Sequence, residues 1–278
     1  MPLWDRTALM WVTDRNRSDA ALPELAQAAA GSGIDLIQIR EPGLDRLPLE
    51  LLVRAMVTVS GPNTSVIVNS NIELARKLGV GVHLPETGPS IEEARDQLGI
   101  ETLVGRSVHS VEAARNSAGA SYLIAGHVFE TTSKVGRKPL GLDRLHQIAE
   151  AAPAPVLAIG GITPELVPTV LEAGASGVAV MSPLTKIATI DARAQRYRTA
   201  LEQSVDKQSE STIEATINGK SIELAAGTTV SEFLAGRELH ERLVVVERNG
   251  DIIKRSTFPD VVIEEGDLLE IVHFVGGG

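Results

Sequence analysis

The sequence predicts an α/β chain, a (β/α)8 TIM barrel followed by a small α+β domain, and three observations carry this reading. Short apolar, β-rich runs alternate with longer Ala/Leu/Glu-rich segments from Ala8 to about Ser204. A polar, aperiodic stretch follows. Behind it lie two Asn-Gly pairs with a short helical pattern between them. The expected parts are a barrel over 1–201, a linker over 202–211 and the small domain over 212–278.

In chain order the eight strand candidates are ALMWVTD, LIQIR, SVIVNS, GVHLPE, LVGRSVH, SYLIAGHV, VLAIGGI and GVAVMSP. Strands buried on both faces read as continuous apolar runs, because helices cover one face and the barrel core the other. Between them stand helical patterns such as LPELAQAAAGSG, LPLELLVRAMVTV, SIEEARDQLG, LDRLHQIAEAA and TPELVPTVLEAGA, several opened by Ser, Thr or Asp and closed by Gly. An open doubly wound sheet is the runner-up, but no G-x-G-x-x-G follows the first strand. EQSVDKQSES, Glu202 to Ser211, is polar and without periodicity and reads as a linker. Next, TIEATINGKSIEL has a hairpin turn at Asn218-Gly219, TTVSEFLAG is a short helix, RLVVVERNGDIIKRS turns at Asn249-Gly250, and DLLEIVHFV is the last strand. That order of hairpin, helix and strands is the pattern of a ubiquitin-like β-grasp domain.

Hydrophobic residues make up 43% of the chain and aromatics 3%, so small aliphatic side chains fill the core. The chain contains no cysteine, which excludes disulfides, thiol nucleophiles and cysteine zinc sites. The net charge of −10 argues against nucleic-acid binding, which needs a basic footprint. Up to Val205 there are 22 acidic and 19 basic residues, and beyond it 14 and 7, so the C-terminal part is the more acidic. That balance suits either a basic partner or plain solubility. With no signal-like N-terminus and no membrane-length apolar run, a cytoplasmic location without membrane contact is expected. The oligomeric state stays open, a homo-oligomer included.

Gly276, Gly277 and Gly278 follow the last strand, and two readings compete for them. They are a frayed tail, or a side-chain-free arm that threads an enzyme tunnel and presents its carboxylate. In a barrel of this kind the site gathers at the C-terminal ends of the strands. That rule picks out Asp14, Arg40, Asn69, Glu86, Ser107, His109, His127, Gly160, Gly161 and Ser182. Peptide N–H groups at Gly160-Gly161 in AIGGI and at Met181-Ser182 in AVMSP suit a phosphate, which implies a small phosphorylated substrate. Thr131, Ser133 and Lys134 in GHVFETTSK add hydroxyl donors and a cation. His127 can take and return a proton near neutrality. Arg40 either grips a substrate carboxylate or pairs with Glu41 or Asp14. Ser107 is a second candidate donor. His109 acts as another acid/base or orients the site, His83 reads as strand core or rim, His146 as helix surface, and His240 and His273 as structural. No histidine spacing makes a convincing metal site.

QIRE, GVHLPE, GRSVHS, GHVFETTSK, AIGG and AVMS together resemble the thiamine phosphate synthase family, most closely its thiazole tautomerase branch. The last segment, from INGK to EIVHFVGGG, resembles the sulfur-carrier family of thiamine biosynthesis. The synthase pattern has a Lys after the Arg-Glu of strand two, an Asn-Asp-Arg that helps hold Mg²⁺ at the end of strand three, an acidic loop after strand four, and a Pro on strand six. Here Pro42, Asn69-Ser70-Asn71, Leu84-Pro85-Glu86 and His127 stand there. The resemblance therefore implies a tautomerase that aromatises a carboxylated thiazole phosphate through His127, needing no cofactor. It also implies a carrier whose Gly278, with Gly277 before it, is adenylated at the expense of ATP by an enzyme of the ubiquitin-activating type. The resulting thiocarboxylate serves a thiazole synthase. The remaining readings are an inactive barrel acting as scaffold, and residual synthase activity.

Overall fold

The structure is a computed structural model that describes residues 6–131, 134, 136–210, 212–237 and 239–273. The chain divides into two compact units, Met1–Glu202 and Gln203–Gly278.

In the first unit eight parallel strands close into a barrel: β1 (Ala8–Val12), β2 (Leu36–Ile39), β3 (Ser65–Asn69), β4 (Gly81–Leu84), β5 (Val104–Val108), β6 (Tyr122–Gly126), β7 (Val156–Ile159) and β8 (Gly177–Val180), with β8 pairing back onto β1. Each predicted run contains one of them. The runs overshoot, however: Asp14, Arg40, Ser70, Glu86, His109, His127 and Gly160 fall just past the strand ends, in the loops. The helices are α1 (Leu22–Ala28), α2 (Arg46–Ser60), α3 (Ile72–Leu78), α4 (Ile91–Leu98), α5 (Val111–Arg115), α6 (Leu142–Ala151), α7 (Val167–Glu172) and α8 (Ile190–Glu210).

The unbroken apolar runs split by period two into two cores. Ala8, Met10, Leu36, Ile67, Tyr122, Ile124, Leu157 and Ala179 point into the barrel. Leu9, Trp11, Ile37, Val66, Val68, Val82, Leu123, Val156 and Val178 alternate with them and pack outward beneath the helices. Side chains fix several helix starts: Ser90 and Glu93 form a capping box on α4, Asn71 caps α3 and Ser110 caps α5. At the opposite end of the barrel buried Arg198 joins Asp35, which also receives Arg6 and the Leu9 amide.

The segment read as a linker is helical as far as Glu210, where α8 ends. Ile190, Ala194, Tyr197 and Leu201 bury one face of this helix at helical spacing. Once that face is nucleated, residues of good helix propensity propagate the helix.

The second unit has β9 (Thr212–Ile217), β10 (Lys220–Ala225), α9 (Val230–Gly236), β11 (Val244–Arg248), β12 (Asp251–Ile252) and β13 (Leu268–His273), in the sheet order β10-β9-β13-β11-β12. Strand β13 lies parallel to β9, as a β-grasp requires. Phe233, Leu234, Val246, Phe258, Leu269 and Ile271 are at the centre of its own core. Both Asn-Gly pairs adopt left-handed turns, with φ of 50° at Asn218 and 54° at Asn249. They also clamp the last strand: Asn218 accepts from the Ile271 amide at 2.6 Å and donates to the Ile271 carbonyl at 3.1 Å, while Asn249 accepts from the Leu268 amide at 2.9 Å. Gly276, Gly277 and Gly278 lie outside the described residues. Among the described residues no helix is long and apolar enough to cross a membrane.

Candidate active site

A cavity of about 950 Å³ opens at the C-terminal ends of the barrel strands. Arg40, Ser107, His127, Thr131, Lys134, Gly160, Gly161, Met181 and Ser182 all line it. Ser133 lies outside the described residues.

His127 follows β6 and is 7% exposed. The segment that carries it is held from both sides: Val128 donates to the Ile159 carbonyl at 2.8 Å, Phe129 to the Gly160 carbonyl at 3.0 Å, and Leu140 to the His127 carbonyl at 2.7 Å. Its Nε2 stands 3.2 Å from the carbonyl oxygen of Arg137. A carbonyl can only accept, so the neutral ring carries its proton on Nε2 and leaves Nδ1 as the basic nitrogen.

Gly160 and Gly161 have φ of +100° and +70°. A Cβ on Gly160 would stand 2.3 Å from the His127 Cβ, and one on Gly161 would stand 2.4 Å from the Glu130 carbonyl oxygen. The glycine pair read from the sequence as a phosphate turn therefore also makes room for the segment that holds His127. Across the cavity Arg17 donates to the Ser182 Oγ at 3.4 Å.

The sequence left two readings open for Arg40. In the structure Glu41 receives the Thr13 hydroxyl at 2.5 Å and faces Arg15 at 3.7 Å, and Asp14 pairs with Arg17 at 3.2 Å. Both expected acids are thus engaged elsewhere, and Arg40 forms no ion pair with a described residue. Its backbone N–H donates to Thr13 at 3.1 Å, which ties it to the same cluster. Burial first, then the charges of Arg137 and Arg40, hold the Lys134 ammonium below the usual lysine range. A lysine held down by burial and by neighbouring cations beside a cavity suits the binding of an anion.

The sequence read His83 as strand core or rim, and in the structure it belongs to the core. It points into the barrel at 2% exposure, with Nε2 2.9 Å from the Ser107 hydroxyl and Nδ1 3.3 Å from the Tyr122 hydroxyl. Burial, with Arg40 adding to it, pushes its pKa down to about 3, so the ring is neutral. Ser107 is accordingly shared between His83 and the cavity. Gln38 donates to Asn69 at 2.9 Å. Half of the cavity floor, on β2 to β5, is therefore polar, while Ile124, Ile159 and Ala179 make the other half apolar. Inward alternation was the signal available, because Asn69 and His83 are register partners on β3 and β4.

Asn71 uses its side chain to cap α3, and Glu86 pairs with His109. Among the described residues no group of three or more His, Asp or Glu side chains is placed to hold an ion. The Mg²⁺ of the synthase pattern does not fit this donor set, since Ser70 stands at the end of strand three where that pattern has a carboxylate.

Residues 9–184 match the family described as thiamine monophosphate synthase, and residues 211–278 match the ThiS family. The chain belongs to the thiamine monophosphate synthase family, with a ThiS-family domain fused behind its barrel. The thiamine-phosphate synthase of Natronomonas pharaonis is 36% identical over 188 residues, which span 64% of this chain and 87% of that protein. That of Moorella thermoacetica is 32% identical over 212 residues, 74% of this chain and 100% of that one. Among solved structures, the thiamine phosphate pyrophosphorylase from Pyrococcus furiosus superposes with a TM-score of 0.64 at 26% identity, covering 73% of this chain and 99% of that one. This synthase-family barrel thus differs from the synthase pattern at its metal-binding corner.

Proposed function

We propose that the barrel is a thiazole tautomerase and that the ThiS-family domain is a sulfur carrier working in the same biosynthesis. One observation carries the first half: His127 lines the cavity with Nε2 committed to the Arg137 carbonyl and Nδ1 left as base. The substrate is a carboxylated dihydrothiazole phosphate with an exocyclic double bond. Nδ1 removes the C2 proton, the double bonds shift into the ring, and the imidazolium returns that proton to the exocyclic carbon, so the product is an aromatic isomer with nothing added or lost. Gly160, Gly161 and Ser182 receive the phosphate, Thr131 and Ser133 donate hydroxyls, and Arg40 with Lys134 holds the carboxylate. Neutral His83 orients Ser107 at the polar side of the floor.

The carrier half rests on the ThiS-family match and the β-grasp sheet that ends in β13. Gly278 is adenylated by an ATP-using enzyme of the ubiquitin-activating type, becomes a thiocarboxylate, and passes sulfur to a thiazole synthase whose product the barrel then aromatises.

The names of the relatives favour a second reading, synthase activity. Incubation with the exocyclic tautomer, followed by the absorbance of the aromatic thiazole, tests the first. General acid–base catalysis contributes about 10² to 10⁴ in rate, so His127→Ala loses roughly that factor. Full activity in this variant refutes the role of His127. Condensation of a pyrimidine pyrophosphate with thiazole phosphate in Mg²⁺, without tautomerisation, establishes the second reading instead.

A further inference from the structure

The helix that leaves the barrel for the carrier also touches both loops of the anion cradle. Arg193, Arg196 and Tyr197 lie on one face of α8, at the spacing that aligns helical side chains. The Tyr197 hydroxyl donates to the Ile162 carbonyl at 2.8 Å, directly after Gly160-Gly161. Arg196 pairs with Glu165 at 2.7 Å in the single turn that follows, Pro164–Leu166. Arg193 donates to the Pro183 carbonyl at 3.2 Å, directly after Ser182. Tyr197 is 2% exposed and lines the cavity itself.

These contacts differ in strength. The Arg196 pair is solvent-exposed on both sides, 65% and 66%, and contributes little. The Tyr197 bond is buried, and a buried carbonyl deprived of its donor is costly. Burial also pushes the phenol up to about 12, so it stays protonated and able to donate at physiological pH.

We propose that α8 positions the anion cradle, through Tyr197 at the Gly160-Gly161 loop and through Arg193 at the Ser182 loop. By tying the Ile162 carbonyl to α8, Tyr197 holds the Gly160-Gly161 turn in the form that receives a phosphate. Helix α8, which continues to Glu210 and the carrier, is thereby part of the barrel's binding machinery. The proposal rests on the phosphorylated-substrate reading above.

The test uses the full chain, calorimetric titration with inorganic phosphate, tautomerase kinetics and thermal melting. Loss of one such hydrogen bond predicts a phosphate Kd about fivefold higher for Tyr197→Phe, with the loss appearing in KM rather than in kcat. An unchanged Kd overturns the proposal, whatever the melting temperature does. Should that variant not fold, Arg193→Gln, whose side chain is exposed, takes its place: a Kd about twofold to threefold higher supports the brace, and an unchanged one overturns it. Absence of phosphate binding in the wild type overturns the substrate reading together with the brace, which separates the two failures.

Discussion

Replacing Gly160 by alanine tests whether the glycine pair serves His127 as well as the phosphate. The added Cβ would sit 2.3 Å from the His127 Cβ and 2.8 Å from its Cα, where ordinary contact begins at 3.4 Å. Backbone is involved, so no side-chain rotation relieves the overlap, and the His127 segment must retreat by about 1 Å. Misplacing a catalytic group by that much costs roughly 10² in rate. Stability falls too, by about 1–2 kcal/mol for an L-residue at a φ of +100° and about 1–3 kcal/mol for overpacking. The assay is kcat for tautomerisation alongside urea unfolding. Gly99→Ala is the control: it has φ +78° and nothing within 4 Å of the added Cβ, so it bears the backbone cost without the clash. It should lose about 1 kcal/mol and keep full activity. A Gly160→Ala enzyme within threefold of wild type refutes the idea that this glycine sets the place of His127.

Further outcomes follow from the same contacts. His83 holds its proton more weakly folded than unfolded, about 3 against 6.5, so the unfolded chain binds the extra proton between those values. Its contribution is complete above about pH 6.5 and falls by roughly 1.4 kcal/mol per pH unit as pH drops toward 3, and urea unfolding at pH 7, 6, 5 and 4 should show a steeper acid loss than in His83→Gln; parallel slopes contradict this. Asn218→Ala removes the left-handed turn residue and both bonds to Ile271, and should destabilise the second unit by about 2–3 kcal/mol in thermal unfolding. Deleting Gly277 and Gly278 should abolish thiocarboxylate formation, read as intact mass after ATP, adenylating enzyme and sulfide, and leave tautomerisation unchanged; loss of both activities contradicts independent sites.

Much of the fold was legible because its signals are local. The eight apolar runs marked the strands, the Ser that opens SIEEARDQLG marked a helix start, and both Asn-Gly pairs turned where glycine and asparagine tolerate positive φ. The short helices α3 and α5, of seven and five residues, offer too few turns for a period to show. The stretch after Leu201 is helical through continuity with a buried face that precedes it, and its own composition carries no such pattern.

By itself the sequence determined the barrel, the β-grasp order and the loops that bear His127, the glycine pair and the rim cations, since each depends on residues close along the chain. Only the tertiary structure decided what those groups are free to do. Arg40 is available because Arg15 and Arg17 already engage Glu41 and Asp14. His127 has a defined basic nitrogen because the Arg137 carbonyl meets the other one. His83 reaches Ser107 across a strand pair, and Tyr197 reaches Ile162 from a helix 35 residues further on. Partnership and protonation depend on distances between segments that meet only when the barrel closes, and no spacing along one segment encodes them.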